Sequence, residues 1–152
     1  MAADVGLRPA EPGDLPGLLA LYAELNPADP PLDAATAHDR FAAILAQPGM
    51  TIFVAADRQK PLASCTLVIV PNLTRGGAPY ALIENVVTHH TARRRGLGRA
   101  VIRHAIDTAW AAGCYKVMLL TGRGDSEAHA FYTSCGFRQD KTGFQIRRPT
   151  PN

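Results

Sequence analysis

No stretch of this 152-residue chain approaches the ~20 consecutive apolar residues that a membrane-spanning helix requires, so a membrane partner is not expected. The first residues, Met1-Ala2-Ala3-Asp4-Val5, have neither a basic start nor an apolar core, which argues against a secretory leader. Cysteine is scarce. Cys65, Cys114 and Cys135 are odd in number, widely spaced and set among apolar residues. That pattern suits reduced thiols in the cytoplasm and not a disulfide framework. A net charge of +3 is too modest for a surface that coats nucleic acid. The one basic cluster also lacks the interleaved aromatics that stack on bases, so no nucleic-acid partner is expected. There is no internal repeat and no low-complexity segment.

The length fits one domain, taken as 1–152 with residues 148–152 as a disordered tail. A hydrophobic content of 47% is normal for a globular chain, which at this size buries about 70% of its unfolded surface. Val5 to Arg8 alternates like a strand. Asp14 is placed to cap a helix whose apolar face is Leu15, Leu18, Leu19, Tyr22 and Leu25. The proline-rich run Asn26 to Pro31 stops it. Asp33 caps a second helix carrying Phe41, Ile44 and Leu45, ended by Pro48-Gly49. Thr51 to Ala56, Leu62 to Val70 and Tyr80 to Val87 read as three strands with short links, an antiparallel meander. A long amphipathic helix covers Gly96 to Ala112, with Gly113 as its C-terminal cap. Val117 to Leu120 reads as a short strand buried on both faces. A helix from Ser126 to Cys135 follows, and Phe137 with Phe144 to Arg147 reads as a final strand pair. The order is β-α-α-β-β-β-α-β-α-β-β, an α/β domain around a mixed sheet.

One junction carries the strongest chemical signal. Arg93-Arg94-Arg95-Gly96-Leu97-Gly98-Arg99-Ala100 is a basic, glycine-containing loop that runs directly into the long helix. Such a junction aims backbone N–H groups and the positive end of the helix dipole at one point. Glycine allows close approach of the backbone to a ligand. The ligand this calls for is an anion, most naturally a phosphate or pyrophosphate.

That loop, placed after a strand and followed by Phe131-Tyr132-x-x-x-Gly136-Phe137, resembles the GNAT superfamily of acyl-CoA N-acyltransferases. The resemblance spans nearly the whole chain and is densest from Ile83 to Phe137. It implies a mixed, mostly antiparallel sheet with a V-shaped splay between the central strands, where the pantetheine arm of acetyl-CoA lies. Acetyl-CoA would be the co-substrate, a small-molecule amine the acceptor, and a homodimer an allowed assembly. The cofactor-binding set it implies is Val86, Val87 and Thr88 on the strand end, with Arg94, Arg95, Gly96, Leu97, Gly98 and Arg99 around the pyrophosphate. Ile83-Glu84-Asn85-Val86-Val87 and Cys114-Tyr115-Lys116-Val117 are similar to segments of glucosamine-phosphate N-acetyltransferases. The segments shaping the acceptor pocket would be 25–33 and 139–144. A CoA-binding regulatory module without catalysis would keep the loop and dispense with the catalytic pair.

Amide formation from a thioester needs a neutral amine, donors for a tetrahedral oxyanion, and a stabilised thiolate. The resemblance assigns the oxyanion to the amide of Val86 or Val87. Glu84 is the candidate general base, a carboxylate in an otherwise apolar strand. It is a poor base for an ammonium of pKa about 10.4 unless burial raises it or the amine arrives neutral. Tyr132 matches the tyrosine that many relatives place beside the CoA sulfur. A phenol near pKa ~10 and a thiol near ~8.5 differ by about 2 kcal/mol against full proton transfer. A hydrogen bond to the thiolate is therefore the better role. Asp125 stands where relatives carry a CoA-contacting asparagine, and reads as a helix cap. His89 and His90 read as a turn and not as metal ligands, since neighbouring strand residues face opposite sides and no third ligand is near in sequence. No metal is expected. Cys135, with no base placed to activate it, reads as a small hydrophobe.

Overall fold

Strand β1 (Val5–Pro9) pairs antiparallel with β2 (Met50–Asp57), β2 with β3 (Lys60–Val70), and β3 with β4 (Tyr80–Thr88). Strand β5 (Val117–Met118) joins β4 in parallel, so the sheet runs β1-β2-β3-β4-β5. This is the mixed, mostly antiparallel sheet expected from the sequence. The computed structural model describes residues 4–122 and 124–151. Met1–Ala3 of the leader reading and Asn152 of the tail lie outside them. The described chain forms two compact units, one up to Leu119 and one from Leu120 onward.

In the first unit, helices α1 (Leu15–Leu25) and α2 (Ala34–Ala46) contribute to a cluster of buried Ala10, Leu18, Phe41, Ile52, Val54 and Ala56, with Leu15, Tyr22 and Ile44 packed against it. Helix α3 (Leu97–Ala111) buries Val101, Ile102, Ala105, Ile106 and Ala109. The Cys65 thiol of β3 reaches the Val101 carbonyl at 3.5 Å, which sets α3 against β3. Each fully buried branched side chain contributes about 1.5–3 kcal/mol. Leu21, fully buried, widens the apolar face of α1 beyond the expected stripe. Gly17 explains how closely α1 sits on the sheet. A Cβ there would stand 2.5 Å from Pro61 Cδ at the start of β3, a clash that only glycine avoids.

Asp14 does a different job from the helix cap expected of it. No side-chain cap bond to α1 is formed. Its carboxylate is gripped by Arg8, with Nη1 to Oδ2 at 2.6 Å and Nη2 to Oδ1 at 2.9 Å, and it accepts the Glu11 N–H at 2.7 Å. A bidentate guanidinium offers more than one amide donor, and Asp14 is 1% exposed, so it takes the stronger partner. This pair ties β1 to the start of α1. Asp33 caps α2 as expected, accepting the Thr36 N–H at 2.9 Å. Gly113, at φ 82, closes α3.

Two expectations at the end of the chain are corrected. β5 is two residues long and half-exposed, not a fully buried strand of four. The strands expected at Phe137 and Phe144 to Arg147 are not formed. Alternating apolar residues permit extended chain, but a strand also needs an edge to pair with. Residues 138–151 make no backbone hydrogen bond among the described residues, and Phe144 and Ile146 are 93% and 98% exposed. Within this second unit, α4 (Ser126–Ser134) is capped by Asp125, which accepts the Ala128 N–H at 3.0 Å.

Burial pushes the Asp14 carboxyl up, but the Arg8 hydrogen bond, the Glu11 amide and the Arg8 charge outweigh it, and the net effect holds its pKa below the ordinary carboxylate range. A depressed folded-state pKa stabilises the fold above the ordinary value, and that contribution is lost as pH falls through the depressed one. Asp14→Asn is therefore expected to cost about 3 kcal/mol near neutral pH, read by denaturant unfolding. The gap between wild type and variant should close as pH drops below the normal carboxylate range.

Candidate functional site

Strand β4 is the centre of the site. Its ladder to β5 consists of Ala81 with Val117 and Leu82 with Met118. From Ile83 to Thr88, β4 has no β5 partner among the described residues, so that edge is free to bind another extended chain or a ligand with amide groups. The other edge of β4 is irregular in the same stretch. Glu84 stands opposite Thr66 and Val87 opposite Ser64, so Asn85 and Val86 both face Cys65. This is a β-bulge, and Asn85 carries its strain at φ 52. Asparagine tolerates this left-handed conformation better than most side chains. The bulge turns the backbone of Asn85 and Val86 out of the regular ladder at the point where the β5 side is open.

The site residues expected on β4 divide by exposure. Glu84 is exposed, Val86 and Thr88 are half-buried, and Val87 is buried. Val87 can contribute only backbone. Beyond Thr88 the chain makes one short turn, His90–Ala92, anchored by buried Ala92. It then enters the basic loop. Arg94 has φ 62 and Gly96 has φ 77 with ψ 7. Two left-handed residues so close together fold successive N–H groups toward a common concavity, which suits an anion. A Cβ on Gly96 would meet nothing within 4 Å, so that space is open. No side chain caps α3, and the N–H groups of Gly96, Leu97 and Gly98 find no acceptor among the described residues. Arg93, Arg94 and Arg95 are exposed and make no ion pair with a carboxylate of the described chain. Orphan N–H groups, a helix dipole and uncommitted guanidinium groups together fit a diphosphate.

Next to this loop is a cluster that sequence reading missed. Glu24, near the end of α1, receives the His90 backbone N–H on Oε2 at 3.0 Å, and its Oε1 meets His90 Nδ1 at 2.8 Å and His89 Nε2 at 3.3 Å. The two imidazoles stack with centroids 4.4 Å apart. The three groups could in principle hold a metal ion. The protons argue for a clasp. Thr91 N–H donates to His89 Nδ1 at 3.2 Å, which leaves the His89 proton on Nε2, facing Glu24. The contact spans 66 residues of sequence, so no local pattern announced it. Glu24 thereby fixes the end of α1 to the turn that precedes the basic loop.

Tyr132 lies on α4, in the second unit. Its ring packs against Phe131 at 5.3 Å and edge-on to Phe137 at 6.2 Å. The aromatic neighbours of the motif hold the ring, and the phenol is half-buried. Cys135 is half-buried and caps the end of α4 through its backbone. Burial pushes the Cys65 thiol up to about 12, so it remains a protonated core group.

An open, bulged strand edge leading into a loop of unpaired backbone N–H groups and arginines is suited to an extended, amide-bearing anion. The chain belongs to the acetyltransferase (GNAT) family, whose sequence profile matches residues 18–137, and it is an N-acetyltransferase. It is 34% identical over 140 residues to the glucosamine 6-phosphate N-acetyltransferase of Trypanosoma brucei brucei, covering 89% of this chain and 90% of that one. It is 33% identical over 135 residues to glucosamine 6-phosphate N-acetyltransferase 1 of Oryza sativa subsp. japonica, covering 86% and 79%. Among solved structures, a protein of Agrobacterium tumefaciens str. C58 assigned to the acetyltransferases, with no acceptor named, is 66% identical with a TM-score of 0.92, covering 94% and 99%. No helix among the described residues is long and apolar enough to cross a membrane.

Gly96→Ala should destabilise the fold by about 1–2 kcal/mol, because alanine must then hold a left-handed conformation. It should also weaken CoA binding, read by calorimetry, because its methyl enters the open concavity. Arg94→Ala should weaken CoA binding about tenfold and flatten the dependence of affinity on salt, since it removes a charge and leaves the backbone donors.

Proposed function

We propose that this enzyme takes the acetyl group from acetyl-CoA and delivers it to the primary amine of a small amino sugar phosphate by direct attack on the thioester. The observation that supports the donor half most strongly is the continuity, within one unit, of an unpaired β4 edge from Ile83 to Thr88 with the cradle from Arg94 to Arg99. The β4 edge offers hydrogen bonds to the pantetheine amides. The loop offers N–H groups and arginines to the diphosphate. The acceptor half is supported by the two relatives named for glucosamine 6-phosphate, which match along most of the chain.

The chemistry then runs as follows. The neutral amine nitrogen attacks the thioester carbonyl carbon, and the carbonyl oxygen becomes an oxyanion held by the amide of Val86 or Val87 at the bulge. The carbon–sulfur bond breaks as the tetrahedral centre collapses to the amide. The proton shed by the amine passes through water to Glu84, whose exposed carboxylate lies one residue before the bulge. An exposed carboxylate cannot strip an ammonium efficiently, so the amine must be captured in its neutral form. That requirement predicts a rate that rises with pH as the acceptor amine deprotonates. Tyr132, assigned by its place in the Phe131–Phe137 motif, donates a hydrogen bond to the departing thiolate, which is finally protonated by the same proton that Glu84 took from the amine.

Thiol release measured against a panel of amines tests the reading. Glucosamine 6-phosphate should be turned over, and unphosphorylated hexosamine far less well. Glu84→Gln should lower kcat about 100-fold with acetyl-CoA affinity retained. Tyr132→Phe should lower kcat about tenfold by removing one donor to the sulfur. Full turnover in both variants would remove the assigned roles, and a preference for amines without phosphate would remove the acceptor.

A further inference from the structure

An acid is out of place beside an anion cradle. Glu24, near the end of α1, is bonded to His90, which stands only four residues before Arg94. Four residues span at most about 14 Å, so the carboxylate stands in the electrostatic neighbourhood of the loop. The His90 ring bond holds its carboxyl below the ordinary carboxylate range against the pull of desolvation, so the group is charged at neutral pH. A like charge near an anion weakens binding. The place of Glu24 therefore calls for a reason other than charge.

The reason lies in what the cradle lacks. Arg93, Arg94, Arg95 and Gly96 are all exposed, so no buried side chain fixes that stretch. Its place is set from its two ends. On one side, α3 is fixed by buried Val101 and Ile102. On the other stands the His89–Ala92 turn, closed by the Ala92 N–H donating to the His89 carbonyl at 2.8 Å. The Ala92 methyl is buried, but a single methyl holds weakly and without direction. Glu24 supplies the directional part. Its Oε2 accepts the His90 backbone N–H at 3.0 Å, and its Oε1 lies 2.8 Å from His90 Nδ1 and 3.3 Å from His89 Nε2. His89 carries the hold further into the turn, since its Nδ1 accepts the Thr91 N–H at 3.2 Å and meets Thr91 Oγ1 at 2.7 Å. The Glu24 and His89 side chains are 24% and 19% exposed, so water competes for these bonds less than at an open surface. The platform is firm: Leu21, one turn back on α1, is fully buried, and the Arg8–Asp14 pair holds the other end of the helix.

We propose that Glu24 is a positioning residue for the donor: by holding the His89–Ala92 turn on the end of α1, it sets the entry to the basic loop and so aims the N–H groups of Gly96, Leu97 and Gly98 at the diphosphate before it arrives. The gain is preorganisation, since a loop already in its bound conformation loses less freedom on binding. That gain outweighs the repulsion of one carboxylate screened by salt. This role rests on the reading of the loop as the donor's diphosphate site, and the test separates the two. Charge and position predict opposite signs. Removing Glu24 tightens acetyl-CoA binding if the carboxylate is only a repelling charge, and weakens it if the carboxylate is a support.

The experiment uses Glu24→Ala, Glu24→Gln, His90→Ala and the double variant Glu24→Ala/His90→Ala, each in the full chain. Calorimetry with acetyl-CoA should show affinity about tenfold weaker in Glu24→Ala. Glu24→Gln keeps an acceptor for the His90 N–H, and His90→Ala keeps that backbone bond itself, so each should lose only about threefold. The double variant should bind no worse than Glu24→Ala, since both changes remove one link. With saturating acetyl-CoA and glucosamine 6-phosphate, kcat in Glu24→Ala should stay within about twofold of wild type, because the reacting strand is untouched. Independently of turnover, amide hydrogen exchange should quicken about tenfold in Glu24→Ala at His90, at Ala92 and at Ala100, whose N–H bonds to the Gly96 carbonyl. The His89 amide, bonded to the Leu62 carbonyl at 2.8 Å, should not change. Unchanged or tighter acetyl-CoA binding in Glu24→Ala, or exchange that quickens evenly along β4 and α3, would overturn the proposal. So would a melting temperature that zinc raises in the wild type and not in Glu24→Ala, which would assign the three side chains to a metal. A wild type that binds no acetyl-CoA, with exchange still quickened at the turn in Glu24→Ala, would sink the donor reading and leave the contact standing.

Discussion

Where Asn85 and Val86 crowd opposite Cys65, β4 leaves its regular ladder with β3, and by then its ladder with β5 has already ended at Leu82. Backbone N–H and C=O groups on such a strand edge need partners from outside the fold. A ligand that carries amides would satisfy them, and the proposed donor, acetyl-CoA, has such groups along its pantetheine arm. The rest of the first unit is arranged to keep that edge open and in place. β1, β2 and β3 hold one side of β4, α3 covers one sheet face, and α1 covers the other. The short β5 contributes just enough pairing to align the start of β4.

Holding an open strand rigid is a problem of anchoring. The anchors are polar contacts at the ends of α1. At its start, the Arg8–Asp14 pair joins α1 to β1, and Gly17 lets the helix settle on Pro61. At its end, Glu24 joins His89 and His90 just past β4. Apolar packing would hold the helix on the sheet without fixing its slide. Directional bonds at both ends of one helix restrict that slide.

The anion cradle follows a different logic. It is built almost wholly from backbone, with Arg94 and Gly96 in left-handed conformations and an uncapped helix behind them. Arginines there add long-range attraction and salt sensitivity, while the N–H groups give direction. In the proposed function, the two halves of donor recognition are therefore made of the same material, main-chain amides.

Much of this was legible in the chain itself, because the signals are local. Glycine and arginine at the helix start specify a cradle by conformation and charge. Asp33, Asp125 and Gly113 mark their helix ends, since capping needs residues three or four apart. Neighbouring strand runs joined by short links pointed to the meander of β2, β3 and β4. Tertiary structure alone decided the rest. The bulge depends on a count of residues across two strands, which neither strand carries by itself. Asp14 turned from cap to ion-pair partner because Arg8 arrives through sheet pairing. Glu24 and the two histidines meet across 66 residues. The closing strands expected at Phe137 and Phe144 to Arg147 did not form, because a strand is a property of two segments and not of one. Sequence fixes what each residue can bond to within a turn or two; only the closed fold decides which distant partner takes the bond.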